Sequence, residues 1–442
     1  MFLPTIRVRF VSFLIGLVVL LILASPAWSD PGSDRRVAEL EQKVLRLETQ
    51  LLRYRDELDE TWLNQRRAEQ VKALVREVLA DADTRASLLN NGMTAGYTNG
   101  FFLASDDNRF RLNIAGRTQV HYYFTHRDDS GADDSVGGFE VARTRLLFTG
   151  HIGDPSLTFA MMPGFSSSGT AQLLDAYITK HFFDSGMKIS AGQFKLPFYK
   201  EFLISETRQQ FVDRTLVSAA FGGGYTQGVL IQWEQDALRL AFSVNDGAGG
   251  MNTNFTVDAT DFAMTGRLDI LLYGEWKCCS EFEGWHSSEP TGSLGMAVHY
   301  QKGERGTTAP DTDVFRWTAD ASFQMEGANI FMAIVGSHLS GSTSADQLGA
   351  MIQVGVFITD QVELLARYEW GDLDTSGTPD LSIVTVGVAW YINKHALKFT
   401  TDVGFGLNSV HAFWANTAAG WLADGVGQDG QIVLRSQVQL LF

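Results

Sequence analysis

The sequence predicts an all-β transmembrane barrel of about 16 antiparallel strands, preceded by an N-terminal α-helical coiled coil. Three observations carry that prediction. From residue 109 onward, apolar and polar residues alternate with period two through segment after segment. The links between those segments alternate between tight turns and long polar stretches. The sequence closes on an alternating strand that ends in an aromatic, Phe442.

The first element is a targeting segment. Arg7 and Arg9 precede an apolar run from Phe10 to Ala24, and Ala27-Trp28-Ser29 offers small residues before Asp30. That is the layout of a secretory signal peptide, here 1–29, cleaved after Ser29. The run is shorter than the ~20 apolar residues of a spanning helix. Residues 30–92 follow as a periplasmic coiled-coil segment. Val37, Val44, Leu51 and Leu58 recur every seven residues, with Leu40, Leu47 and Tyr54 at the complementary positions. A lone helix cannot bury such a seam, so it implies self-association. Asn90-Asn91-Gly92 ends the helix, and 93–108 reads as a linker.

The barrel occupies 109–442. Its first strand shows the pattern best: Phe110, Leu112, Ile114, Val120, Tyr122 and Phe124 alternate with Arg109, Arg111, Asn113, Arg117, Gln119, His121 and Tyr123. Comparable segments fall at 139–152, 156–162, 172–181, 187–196, 226–233, 238–246, 261–272, 291–301, 314–325, 328–338, 348–358, 361–370, 383–391, 397–406 and 431–442. Many have the ~9–11 residues with which a tilted strand crosses a bilayer. Tight turns at 153–155, 234–237, 326–327 and 359–360 mark one rim, and long links mark the other. The link 273–290 breaks the rule, being long on the short-turn rim. The expected location is the cell outer membrane, with the barrel in contact with its lipid and the helix in the periplasm.

Composition narrows the function. The formal charge of −16 argues against nucleic acid as a partner. Cys278 and Cys279 are the only cysteines and are adjacent, which gives neither a zinc spacing nor a disulfide framework. An enzyme would need a nucleophile with a base, or a metal motif. No Ser-His pairing, G-x-S-x-G or H-x-x-x-H is present. His121 and His151 are lumen-facing but isolated. No enzyme, cofactor or metal is expected.

A barrel this wide leaves a lumen, and a channel takes its selectivity from charge at a constriction. Residues 109–214 carry 12 Lys and Arg against 11 Asp and Glu, whereas 215–442 carry 10 against 25. Cations therefore concentrate in the first third of the barrel. Placing a cation on the lipid face costs ~2–4 kcal/mol at the midplane, so Arg117, Arg143 and Arg145, like Arg109 and Arg111, are expected to face inward. The long link after Pro197 can fold into the lumen, with Leu196, Phe198, Phe202 and Phe211 holding it to the wall. Lys195, Lys200, Arg208 and Arg214 would then face the water column, with Glu201, Glu206 and Asp213 pairing some of them. Together with the wall arginines, these are the predicted pore and constriction residues.

Several motifs resemble the phosphate-selective porin O/P family: Gly100-Phe101-Phe102-Leu103, Arg143-Thr144-Arg145 and Leu174-Asp175-Ala176-Tyr177. The most specific are Gly192-Gln193-Phe194-Lys195-Leu196-Pro197-Phe198 and Phe211-Val212-Asp213-Arg214-Thr215-Leu216-Val217. The resemblance runs from about Tyr97 to the end. It implies a sixteen-stranded, homotrimeric outer-membrane porin passing small anions or other hydrophilic solutes, with the loop after Pro197 folded into the pore. The family's founding members line the pore with an arginine ladder and lysines. Here the cations are fewer and the second half is acidic, so phosphate is one candidate solute. The alternative is a general or cation-preferring porin whose coiled coil tethers the membrane to peptidoglycan.

Overall fold

The computed structural model describes residues 93–98, 100–127, 135–254, 260–303, 312–341, 344–425 and 428–442, together with Gln42. The predicted signal peptide and, Gln42 apart, the predicted coiled coil lie outside the described residues.

Sixteen strands close into one antiparallel barrel. They are β3 (Phe110–His126), β4 (Ser135–Ile152), β5 (Asp154–Phe165), β6 (Ala171–Phe182), β7 (Met187–Lys195), β8 (Tyr225–Gln235), β9 (Leu238–Asn245), β10 (Phe262–Tyr273), β11 (Thr291–Lys302), β12 (Asp313–Met325), β13 (Ala328–Ser340), β14 (Ala345–Phe357), β15 (Val362–Asp372), β16 (Leu381–His395), β17 (Leu397–Gly406) and β18 (Ile432–Leu441). Each pairs with the next, and β18 closes on β3 from Ile432↔His126 to Leu441↔Arg117. Each predicted strand corresponds to one of these sixteen.

Two short strands precede them, β1 (Met93–Tyr97) and β2 (Phe101–Ser105). They form a hairpin in the stretch read as linker, and β2 pairs with the start of β3 from Phe101↔Ile114 to Ala104↔Arg111. One edge of β3 is thus shared, with β2 at its beginning and β18 beyond. Between them Phe442 exchanges both backbone bonds with Gly116 at 2.8 and 3.0 Å. Its ring lies where a side chain at Gly116 would stand, 2.2 Å from an ideal Cβ.

The alternation follows the two solvents. On β9, Leu238, Leu240, Phe242 and Val244 point out and are exposed, while Ser243 and Asn245 point in and are buried. On β11, Leu294, Met296, Val298 and Tyr300 point out, and Ser293, His299 and Gln301 point in. Hydrocarbon tolerates the first set, and the second needs water or polar partners.

The largest apolar core among the described residues lies within the lumen. It joins Leu196, Phe198, Tyr199, Leu216, Val217 and Phe221 of the 196–224 loop to Phe282 of the 274–290 link. Trp414 and Trp421 of the 407–431 loop complete it against inward residues such as Phe331, Val335 and Ile383. Fully burying such side chains is worth about 1.5–3 kcal/mol each, which offsets the entropy of ordering three long segments. The link 274–290 now has a physical reason for its length: it folds inward from the short-turn rim, burying Phe282, Glu283 and Trp285. Cys278 and Cys279 on the same link are buried free thiols.

Candidate functional site

The loop 196–224 is a built structure. Its helix α1 (Lys200–Leu203) is followed by a 3-10 turn at Glu206–Arg208 and by α2 (Leu216–Phe221). Thr215 caps α2, its Oγ1 accepting from Ser218 N at 2.9 Å. Glu201, fully buried, accepts from Thr215 N at 2.9 Å and from its hydroxyl at 2.5 Å. Lys195 donates to the carbonyls of Phe202, Leu203 and Ile204 at 2.8–3.3 Å, and so closes the end of α1. Arg214 donates to Ile204 O at 2.8 Å. Lys195 and Arg214 both lie over the Phe202 ring, at 5.2 and 4.8 Å.

From this scaffold Glu206 meets the wall. Arg117 Nη2 stands 3.1 Å from its carboxylate, Arg214 Nη1 3.4 Å and Arg143 Nε 4.0 Å. Arg145 pairs with it directly. Register explains the convergence, because Arg117 stands opposite Arg145, and Gln119 opposite Arg143, on the inward faces of β3 and β4. Arg143 also reaches Asp213 at 2.5 Å, and Asp213 accepts from Tyr123 OH at 3.0 Å. Four guanidiniums thus surround two loop carboxylates, leaving a local excess of positive charge.

Eight of the ten predicted residues belong to this loop-and-wall assembly: Lys195, Glu201, Glu206, Asp213, Arg214, Arg117, Arg143 and Arg145. The other two point elsewhere. Arg208 donates to Ser280 Oγ on the 274–290 link. Lys200 lies on the side of Arg267 and Asp269. Arg109 and Arg111 sit near the short-turn rim, Arg109 on Gly153 O at 3.4 Å and Arg111 over the Phe102 ring at 4.3 Å.

Sequence reasoning missed the far wall. Leu216 N donates to Glu369 at 2.6 Å, Val212 N to Asp402 at 2.9 Å, and Lys398 Nζ to Gln209 O at 2.6 Å. Arg267 donates to Phe198 O at 2.7 Å while bound to Asp320 at 2.9 Å. Arg435 and Asp402 pair at 2.6 Å, both fully buried. A polar residue at an inward strand position reads the same whether it faces water or a loop, so no sequence signal marked these. Gly349 on β14 is a second such case. An ideal Cβ there would lie 2.8 Å from Val217, so the absence of a side chain lets α2 approach the wall.

Between this assembly and the wall on the β4–β10 side lies a cavity of about 560 Å³. Arg117, Lys188, Lys195 and Arg267 line it, with Asp175 and Asp269 among the acids.

Burial alone would raise the Asp213 carboxyl, but Arg143 beside it, then His121 and Arg435, hold it at about 2. Burial acts the same way on Glu206, and the four arginines hold it well below the ordinary carboxylate range. A group whose folded pKa is depressed stabilises above its unfolded value, and the contribution is lost as pH falls through the folded one. For Asp213 that window runs from about 4 down to about 2. Conductance is therefore expected to stay steady from neutral pH to about pH 4, with open-channel noise rising below it. Single-channel recording across this range checks the expectation. Noise already present well above that window would mean that other groups hold the loop.

Residues 112–266 match the family model described as phosphate-selective porin O and P. That is a porin family and not an enzyme family. No curated protein matches the sequence. In fold, the chain is similar to OmpT, expressed in the outer membrane of Vibrio cholerae, at 10% identity and a TM-score of 0.53, covering 76% of this chain and 98% of that one. It is similar also to an anion-selective porin from Comamonas acidovorans, at 13% identity and 0.53, covering 75% and 100%. A third is the outer membrane channel DcaP of Acinetobacter baumannii, at 14% and 0.50, covering 78% and 100%.

Proposed function

We propose that this chain, an outer-membrane β-barrel porin with the phosphate-selective porin O and P signature over residues 112–266, is an anion-preferring diffusion channel for small hydrophilic solutes, narrowed by its 196–224 loop. The observation that carries this reading is the convergence of Arg117, Arg143, Arg145 and Arg214 on Glu206. Cations outnumber carboxylates there, and the adjoining cavity adds Lys188 and Lys195. In a confined space of reduced dielectric, such an excess favours anions over cations. The resident carboxylates temper it, so the reading is preference rather than exclusion, with phosphate as one permeant anion.

Reversal potential in a planar bilayer under a KCl gradient, followed by phosphate titration, tests the reading. An anion-selective reversal with phosphate block of the chloride current is expected. A cation-selective reversal would overturn it in favour of a pore governed by the acids of the second half. Homotrimeric assembly belongs to the same proposal. One similar structure carries the description "trimer form", and cross-linking of the purified barrel would test it here.

A further inference from the structure

The 274–290 link carries a second cluster, joined to the Glu206–Arg208 turn through Gln439, which donates to Thr207 O at 3.0 Å and to His395 O at 2.6 Å. Glu281 and Glu283 lie just beyond the 3-10 turn Cys278–Ser280, and His395 is the last residue of β16, 114 positions after Glu281. His395 Nε2 lies 3.0 Å from Glu281 Oε2 and 3.6 Å from Glu283 Oε2. One donor atom from each of the three falls within 4.8 Å of the others. A four-coordinate ion with bonds of about 2.0–2.1 Å holds its donors roughly 3.3–3.4 Å apart. His395 Nε2 already stands near that spacing from both carboxylates.

The surroundings support a bound cation. Trp285 Nε1 donates to the other oxygen of Glu281 at 3.0 Å, and Tyr391 OH lies 3.0 Å from the other oxygen of Glu283. Such clamps fix the orientation of ligating carboxylates. Glu283 Oε2 also accepts from Phe282 N at 3.1 Å. The Glu283 side chain is fully buried. Tyr391 OH also bonds a third carboxylate, Glu363, at 2.7 Å. Of the nearby cations, Lys398 Nζ on β17 gives a hydrogen bond to Gln209 O, Lys394 lies over the Trp285 ring at 5.5 Å, and Arg208 lines the same pocket as Glu281. Carboxylates this close and this buried need a proton or a cation between them.

We propose that Glu281, Glu283 and His395 bind one divalent transition-metal ion of the zinc class, with solvent as fourth donor. Imidazole with carboxylates suits such an ion, whereas magnesium and calcium favour all-oxygen sites. The ion pins the 274–290 link to the β16–β17 turn and so holds the plug in the short-turn mouth. Without a metal, the same atoms make a plain imidazole–carboxylate hydrogen bond.

Cobalt(II) titration of the full-length barrel folded in detergent tests this, because a tetrahedral site gives Co2+ an intense visible absorption. One Co2+ per chain is expected, displaced by Zn2+. His395→Ala should weaken binding by at least about 10–100-fold, and His411→Ala, an exposed histidine on the 407–431 loop, should leave it unchanged. No tetrahedral Co2+ in the wild type, or equal binding by His395→Ala, overturns the site. If His395→Ala does not fold, Glu281→Gln, at a partly exposed position, carries the test with the same criterion. Zn2+ added on the short-turn side should also alter wild-type current reversibly, with a chelator restoring it.

Discussion

Glu206→Gln shifts the channel strongly toward anions while leaving the barrel folded. The carboxylate neutralises part of a four-arginine cluster, and glutamine keeps an oxygen to accept hydrogen bonds without the charge. One added positive charge about 8 Å from a passing anion is worth roughly 2 kcal/mol at an effective dielectric near 20. That corresponds to about a thirtyfold change in occupancy before salt screening, so a severalfold rise in the anion-to-cation permeability ratio is the expected measurement. Phosphate should block at roughly tenfold lower concentration, because a dianion feels the added charge twice. Glu206→Ala separates charge from anchoring. It removes the acceptor as well, and breaking a partly buried ionic network of this kind costs about 3–5 kcal/mol. It should therefore add open-channel noise that Glu206→Gln lacks. An unchanged reversal potential in Glu206→Gln would show that the permeating ion does not pass this cluster.

Replacing residues 276–288 by an Asn-Gly turn should raise single-channel conductance severalfold. The strand ladder between β10 and β11 runs from Phe262↔Lys302 to Tyr273↔Gly292 and does not need the link. What the replacement removes is Phe282, packed on Phe331 with ring centroids 4.8 Å apart, and Trp285, packed on Tyr391 at the same distance. Losing two such buried side chains lowers stability by about 3–6 kcal/mol. That shows as a lower temperature for the loss of compact migration in detergent gels. Unchanged conductance would place the narrowest point of the path elsewhere, at the Glu206 assembly.

The barrel was legible because lipid enforces it. An inward polar and outward apolar residue must alternate at nearly every position of a spanning strand, so sixteen strands could be read from periodicity alone. The β1–β2 hairpin was not legible. Its strands are five residues each, too short for alternation to stand out, and Gly96 and Gly100 read as linker. The loop's inward fold was suggested by its apolar residues, and Glu206 and Asp213 were among those named. Their partners across the lumen were hidden, since Asp402 or Glu369 on an alternating strand looks like any wetted side chain. Lys195 was read as facing water, yet it also ties off the carbonyls of α1. The Glu281–Glu283–His395 cluster had no sequence spacing to betray it, because the barrel's closure brings its parts together.

The 196–224 loop is rooted between β7 and β8, and it is bonded at Glu369 on β15 and Asp402 on β17. Counted around sixteen strands, β15 and β16 lie diametrically opposite that root. The loop therefore acts as a cross-brace in a thin-walled tube. Lateral pressure from the surrounding bilayer would otherwise flatten the tube into an ellipse, the softest deformation open to a cylinder of hydrogen-bonded staves. A brace along one diameter resists that deformation, so the loop that narrows the lumen also keeps it round.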